Sequence, residues 1–254
     1  MDNGHFNAVA GSHRETIVER PDCFALSIRS LTALFSAENF LFISSNALCF
    51  MQSAVMEGTK DGLRSAALSR RSALSPATCF SWGGSIQAKA IEFPQYQAAC
   101  SVALYCAVGN EVETGAIRNH AFQHRKKVFC PKFSADNSAV FVELEPDGGL
   151  IAGGFGVPEP TGNESLLAAD SESLIVFVPG VLFDGLGNRL GRGGGWYDRA
   201  LQRLGNRGVF VGLAYDCQVV DRLPAQAWDQ KVHYVITESK VIDCTVVSQS
   251  PIAR

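Results

Sequence analysis

The chain has no Cys-x-x-Cys pair; its eight cysteines, Cys23, Cys49, Cys79, Cys100, Cys106, Cys130, Cys217 and Cys244, are scattered along 254 residues. That spacing excludes a zinc ribbon and a redox dithiol, and several of these residues sit in apolar, strand-like runs. It predicts reduced, buried thiols in a cytoplasmic protein and argues against a disulfide frame. Charge of one sign is also lacking. A formal net charge of -3 offers no general surface for nucleic acid or membrane, so the expected partners are small molecules; the chain is expected to be a monomer. No unbroken apolar run is long enough to span a bilayer: residues 31–50 are interrupted by Glu38, Asn39, Ser44, Ser45 and Asn46. A signal peptide would place its apolar core nearer the start, behind a basic lead. His120 and His124 have the spacing of metal ligands on a helix, but Arg125, Lys126 and Lys127 come next and no third ligand is evident. They read as a solvated basic helix end. There is no internal repeat or low-complexity tract.

The composition that is present, 46% hydrophobic and 19% charged, is enough for one substantial core. Residues 1–30 are polar and aperiodic, and Met51 or Met56 would make a sensible translation start for the domain beyond. Residues 1–55 are therefore expected to be a poorly structured extension outside the fold, consistent with a misassigned gene start. Past it, Lys60 to Leu74 reads as an amphipathic helix with Leu63, Ala66, Ala67, Arg70 and Leu74 near one face, ended by Pro76. A second helix is predicted from Ser85 to Ala99, interrupted at Pro94, and a third from Glu113 to Arg125. Strands are predicted at Ser101–Val108, Lys127–Pro131, Ala139–Leu144, Leu174–Pro179, Val209–Ala214 and His233–Thr237, with Gly148–Gly162 as a long ordered loop. Buried-type strands alternating with helices predict an α/β fold: a mostly parallel sheet covered by helices on both faces, with a ligand crevice at the carboxyl ends of the strands. Val108–Glu113 and Asp184–Gly195 both come after strands and are expected to open onto that crevice.

The most informative stretch runs from Val178 to Arg199, out of a buried strand, through a glycine-rich turn with two arginines, into a helix. Gly191, Gly193, Gly194 and Gly195 can adopt positive φ and crowd N–H groups around an anion, and the helix adds its positive N-terminus. Arg189 and Arg192 add forked donors suited to phosphate. A P-loop is excluded because no Lys-Ser or Lys-Thr succeeds the glycines, and a dinucleotide fingerprint because about a dozen residues separate strand from glycines. Taken alone, Gly-x-Gly-Gly-Gly is more often a flexible turn than a nucleotide site. Asp198 could be a magnesium anchor beside a polyphosphate or an acid interacting with the helix dipole.

Five segments together resemble the 5-formyltetrahydrofolate cyclo-ligase (methenyltetrahydrofolate synthetase) family: Lys60-Asp61-Gly62-Leu63-Arg64, Gly109-Asn110-Glu111-Val112-Glu113-Thr114, Gly156-Val157-Pro158-Glu159-Pro160, the glycine stretch through Asp198-Arg199, and Val211-Gly212-Leu213-Ala214-Tyr215-Asp216. The likeness spans about residues 56–240. It implies a cyclo-ligase domain over 56–245, a C-terminal tail over 246–254, and conversion of 5-formyltetrahydrofolate to 5,10-methenyltetrahydrofolate with ATP as co-substrate and Mg²⁺. The resemblance assigns ATP to Lys60, Arg64, Arg189, Leu190, Gly191, Arg192, Gly193, Gly194, Gly195, Trp196 and Tyr197. It assigns the folate to Val108, Glu113 and Arg192 through Trp196, catalysis to Arg192, and magnesium to Asp198 and Asp229.

Three departures accompany it. Gly194 stands where many relatives have Lys, Trp196 replaces the usual Tyr, and Trp228-Asp229 and Val232-His233 replace the family's acidic pattern near the second metal position. Gly194 and the Asp229 region leave room for a folate- or nucleotide-binding relative with weak or no catalysis. A sugar-phosphate or CoA-ester enzyme on the same core is a third reading, without a convincing carboxylate motif. Replacing Asp198 by Ala is expected to reduce Mg²⁺-dependent activity strongly with little loss of fold.

Overall fold

The computed structural model describes residues 59–133, 139–163, 165–166 and 173–246, all within one compact unit, Phe50–Arg254. The expected extension over residues 1–55 and nearly all of the expected tail lie outside the described residues. Helix α1 spans Lys60–Ser72 and opens on the cap Thr59, whose hydroxyl accepts from the Gly62 N–H at 3.1 Å. Its inward residues are Ala67 and Arg71, while Ala66 and Arg70 are exposed. Four-residue steps from Leu63 and Ala67 lead to Arg71, so the expected face is rotated by one position.

Helix α2 begins earlier than predicted, at Pro76, and runs to Glu92. Pro76 ends one helix and starts the next, because proline suits a first helical position and Ser75 caps it by accepting from Thr78 N–H at 3.1 Å. Trp82-Gly83-Gly84 consequently lies inside the helix. The chain breaks at Phe93 as expected, and Pro94 opens the short α3, Pro94–Ala98. Helix α4 is Gly115–Gln123.

Seven strands form the main sheet: β1 (Ser101–Ala103), β2 (Lys127–Phe133), β3 (Ala139–Glu143), β6 (Leu174–Val178), β9 (Val209–Leu213), β11 (Tyr234–Ile236) and β12 (Val241–Asp243). Their spatial order is β12-β11-β9-β6-β1-β2-β3. Neighbours from β11 through β2 are parallel, and only the edge strands β3 and β12 run antiparallel. Period-two alternation sends Val102, Ile175, Phe177, Val211 and Ile236 to one face against α2 and α4. Ala103, Val176, Val178, Phe210 and Val235 face the other side, against α5 (Trp196–Leu204). The predicted α/β layering is thus built with both faces of the sheet apolar.

Two segments expected to be loops contain strands. β4 (Leu150–Ala152) pairs with β5 (Pro158–Pro160). After β6 the chain forms β7 (Leu182–Asp184) and β8 (Arg189–Leu190), joined with β10 (Val219–Val220) in a small sheet on which α1 packs. The turn between β7 and β8 is fixed by the buried Asp184 carboxylate, which accepts from Leu186 N–H, Asn188 N–H, the Asn188 amide and Leu223 N–H at 2.9–3.0 Å. Four donors offset the burial of its charge. Gly187 has φ +80°, and a Cβ there would stand 2.3 Å from the Val232 carbonyl oxygen, so only glycine closes this turn. β1 is shorter than predicted because the apolar run after Ala103 leaves the sheet. No helix among the described residues is long and apolar enough to cross a membrane.

Candidate active site

One cavity of about 950 Å³ opens beyond the carboxyl ends of β1, β2 and β6, lined by Tyr105, Cys106 and Val108, by Phe133, and by Pro179 and Gly180 respectively. Every residue that the family resemblance assigns to the site lines it except Glu113, which is exposed. Lys60 and Arg64, one turn apart on α1, reach it together, as their four-residue spacing requires. Arg64 Nε donates to the Gly191 carbonyl at 2.7 Å and pairs with Asp61, tying the first helix to the glycine turn.

That turn has the conformation of an anion cradle. Gly193 has φ +108°, and Gly195, the N-cap of α5, has φ +61°. Among the described residues no side chain caps α5, so its first-turn N–H groups, on residues that line the cavity, are left without a side-chain acceptor at the positive end of the helix dipole. The β7–β8 hairpin delivers Arg189, whose Nη2 donates to Asp198 Oδ1 at 2.9 Å; its Nε is buried with no acceptor among the described residues. Arg192 Nη2 donates across the cavity to Glu111 Oε1 at 2.9 Å and to the Val108 carbonyl at 3.3 Å. Glu111 also accepts from Val108 N–H at 3.1 Å and lies 3.8 Å from buried Arg71. Burial lowers the pKa of Arg71, and Glu111 opposes that shift.

Sequence reasoning missed Glu111 in favour of Glu113. The two flank buried Val112 in an irregular segment that follows a turn at Gly109, φ +61°; Glu111 is held at the cavity by Val108 N–H and Arg192, whereas Glu113 is exposed. It also missed Trp228, 66% exposed at the cavity, and Arg199. A cation one helical turn beyond a glycine loop was the available signal for Arg199.

The apolar lining is aromatic. Trp196 packs against Phe133 at 5.4 Å, Phe141 at 5.3 Å and Tyr197 at 4.3 Å between ring centroids. Its indole Nε1 is buried with no partner among the described residues, the consequence of Trp at this position. Burial raises the Tyr197 phenol well above its ordinary range, so it stays neutral. Cys106 hydrogen-bonds Cys130, which lowers the Cys106 pKa. None of the six described cysteines forms a disulfide, but Cys100 is exposed and only Cys130 is fully buried, so burial of the thiols is less general than expected.

The fit of the site to magnesium rests on its carboxylates. Asp198 Oδ1 accepts from Arg189 and from Gln230 N–H at 3.2 Å. Asp229 Oδ2 accepts from Lys60 at 2.6 Å and from Gln226 N–H at 2.7 Å. Among the described residues, each carboxylate leaves its second oxygen without a protein donor. One anchored and one open oxygen on each of two acids in one cavity fit a hard cation that takes the rest of its shell from water and other oxygen ligands. His120 and His124 stack at 3.9 Å, with His120 Nδ1 2.8 Å from the Tyr96 hydroxyl. Among the described residues there is no cluster of three metal-ligating side chains.

Residues 56–238 match the 5-formyltetrahydrofolate cyclo-ligase family. The chain is 36% identical to the 5-formyltetrahydrofolate cyclo-ligase of Haemophilus influenzae over 57% of its own length and 79% of that protein. It is 32% identical to the Escherichia coli K12 cyclo-ligase over 68% of its length and 96% of that protein. The solved structure of Aquifex aeolicus 5,10-methenyltetrahydrofolate synthetase superposes with a TM-score of 0.65 at 31% identity, covering 77% of this chain and 99% of that one. Fold and sequence agree over the segment that builds the cavity, and the chain is an enzyme of the 5-formyltetrahydrofolate cyclo-ligase family.

Proposed function

We propose that the enzyme converts 5-formyltetrahydrofolate to 5,10-methenyltetrahydrofolate with ATP and Mg²⁺, releasing ADP and phosphate. The observation that carries this reading is a single cavity in which an aromatic wall adjoins a glycine turn, an uncapped helix N-terminus and several cations. A flat heterocycle and a polyphosphate can meet there. The formyl oxygen is a poor leaving group; transfer of the γ-phosphoryl of ATP to it makes a good one, N10 attacks the formyl carbon, and phosphate leaves with that oxygen. Such a reaction requires positioning and charge neutralisation and no protein nucleophile.

In this reading the Gly193–Gly195 N–H groups, Lys60, Arg64 and Arg189 hold the triphosphate, and Arg192 neutralises charge on the transferring phosphoryl. Trp196 and Val108 flank the pterin, for which Glu111 is the carboxylate available to accept ring N–H groups, a role expected of Glu113 from the family resemblance. Asp198 and Asp229 would hold Mg²⁺, which supplies charge neutralisation at the phosphate oxygens. We assign the activity to residues 56–245 and read the enzyme as a cytoplasmic monomer. The test is the growth of methenyl-folate absorbance from 5-formyltetrahydrofolate. The rate should require both ATP and Mg²⁺; folded protein that binds both substrates without turnover would instead identify a binding relative.

A further inference from the structure

Five cations line the cavity: Lys60, Arg64, Arg189, Arg192 and Arg199. Four have carboxylate partners, Asp229, Asp61, Asp198 and Glu111 respectively. Among the described residues Arg199 has none. Its guanidinium turns back over the glycine turn, where Nη1 donates to the Gly194 carbonyl at 3.0 Å and lies 3.2 Å from where a Cβ on Gly195 would stand.

This is a poor place for a cation in the free protein. Arg199 lies at the end of the first turn of α5, where the dipole and the uncapped N–H groups are already positive. An exposed arginine with no other constraint would extend into water. The arrangement becomes favourable when an anion occupies the turn, because the N–H groups, the dipole and Arg199 then converge on it. The other four cations must loosen an ion pair before they can give their full charge to a ligand; Arg199 need not.

We propose that Arg199 is a phosphate-binding residue of this site, closing over the triphosphate at Gly193–Gly195 and supplying the charge that the three glycines cannot. This rests on the ATP-dependent reading above. Calorimetry with ATP and with 5-formyltetrahydrofolate, titrated separately into the full chain, tests it. For Arg199→Gln, ATP binding should weaken about 10- to 100-fold, the loss of one charge-assisted phosphate contact. Folate binding should stay within about twofold, and the ligand-free melting temperature should be unchanged or higher. Arg199→Lys should fall between. ATP affinity equal to wild type would overturn the proposal, as would equal loss for both ligands with a lowered melting temperature. Failure of the wild type to bind ATP would overturn the ATP-dependent reading itself.

Discussion

Asp198→Ala is not the clean probe of metal binding that its sequence position implies. Removing the carboxylate leaves the Arg189 side chain, 4% exposed, without a counter-ion and Gln230 N–H without an acceptor. Stripping one partner from a buried ion pair costs about 3–5 kcal/mol. Asp198 keeps 22% exposure, and Tyr197 lies under the guanidinium at 5.7 Å, so about 2–3 kcal/mol is the appropriate range. For a domain of this size that lowers the melting temperature by roughly 4–12 °C. Asp198→Asn keeps an acceptor oxygen for Arg189 and Gln230 and loses only the charge; about 1 kcal/mol, or roughly 2–4 °C, is expected. A neutral amide is nevertheless a poor magnesium ligand, so its Mg²⁺-dependent rate should fall at least about 100-fold. Thermal melts and methenyl-folate absorbance on both variants separate these effects. Unchanged Mg²⁺ dependence in Asp198→Asn would refute the metal role, and an unshifted melt in Asp198→Ala would refute the ion-pair accounting.

Gly194→Lys should raise kcat/KM for ATP about 3- to 10-fold, corresponding to roughly 1 kcal/mol of added phosphate attraction. A Cβ there meets nothing within 4 Å, and an unchanged value in steady-state kinetics would argue against phosphate at this turn. His233 accepts from Phe210 N–H at 2.9 Å through Nδ1, and burial lowers its pKa below 6.5. Its neutral form belongs to the folded state, so its contribution to stability is complete above about pH 6.5 and declines as pH falls from there toward the lowered folded pKa. Denaturant titrations should find this decline flatter in His233→Asn, and an identical slope would exclude the contribution. A chain begun at Met56 should remain folded and active; loss of activity in the cyclisation assay would make residues 1–55 part of the enzyme.

The sequence by itself determined the layered α/β fold, because β6 and β9 are apolar at nearly every position and helices intervene, a pattern that can be buried only between two helical layers. It also made Gly191–Gly195 legible as a tight backbone turn, since glycine tolerates positive φ whatever surrounds it. Helix starts were harder to read: Pro76 carries the same local signal for a stop and a start, and the Ser75 cap decides. Only the tertiary structure decided which of Glu111 and Glu113 faces the cavity, because irregular chain has no period from which to infer direction. The same holds for the charge balance of the site. Lys60 meets Asp229 and Arg192 meets Glu111 across long sequence separations, and Asp198 pairs with Arg189 while its sequence neighbour Arg199 turns to the Gly194 carbonyl, so which cation is left without a carboxylate is settled only when the segments come together.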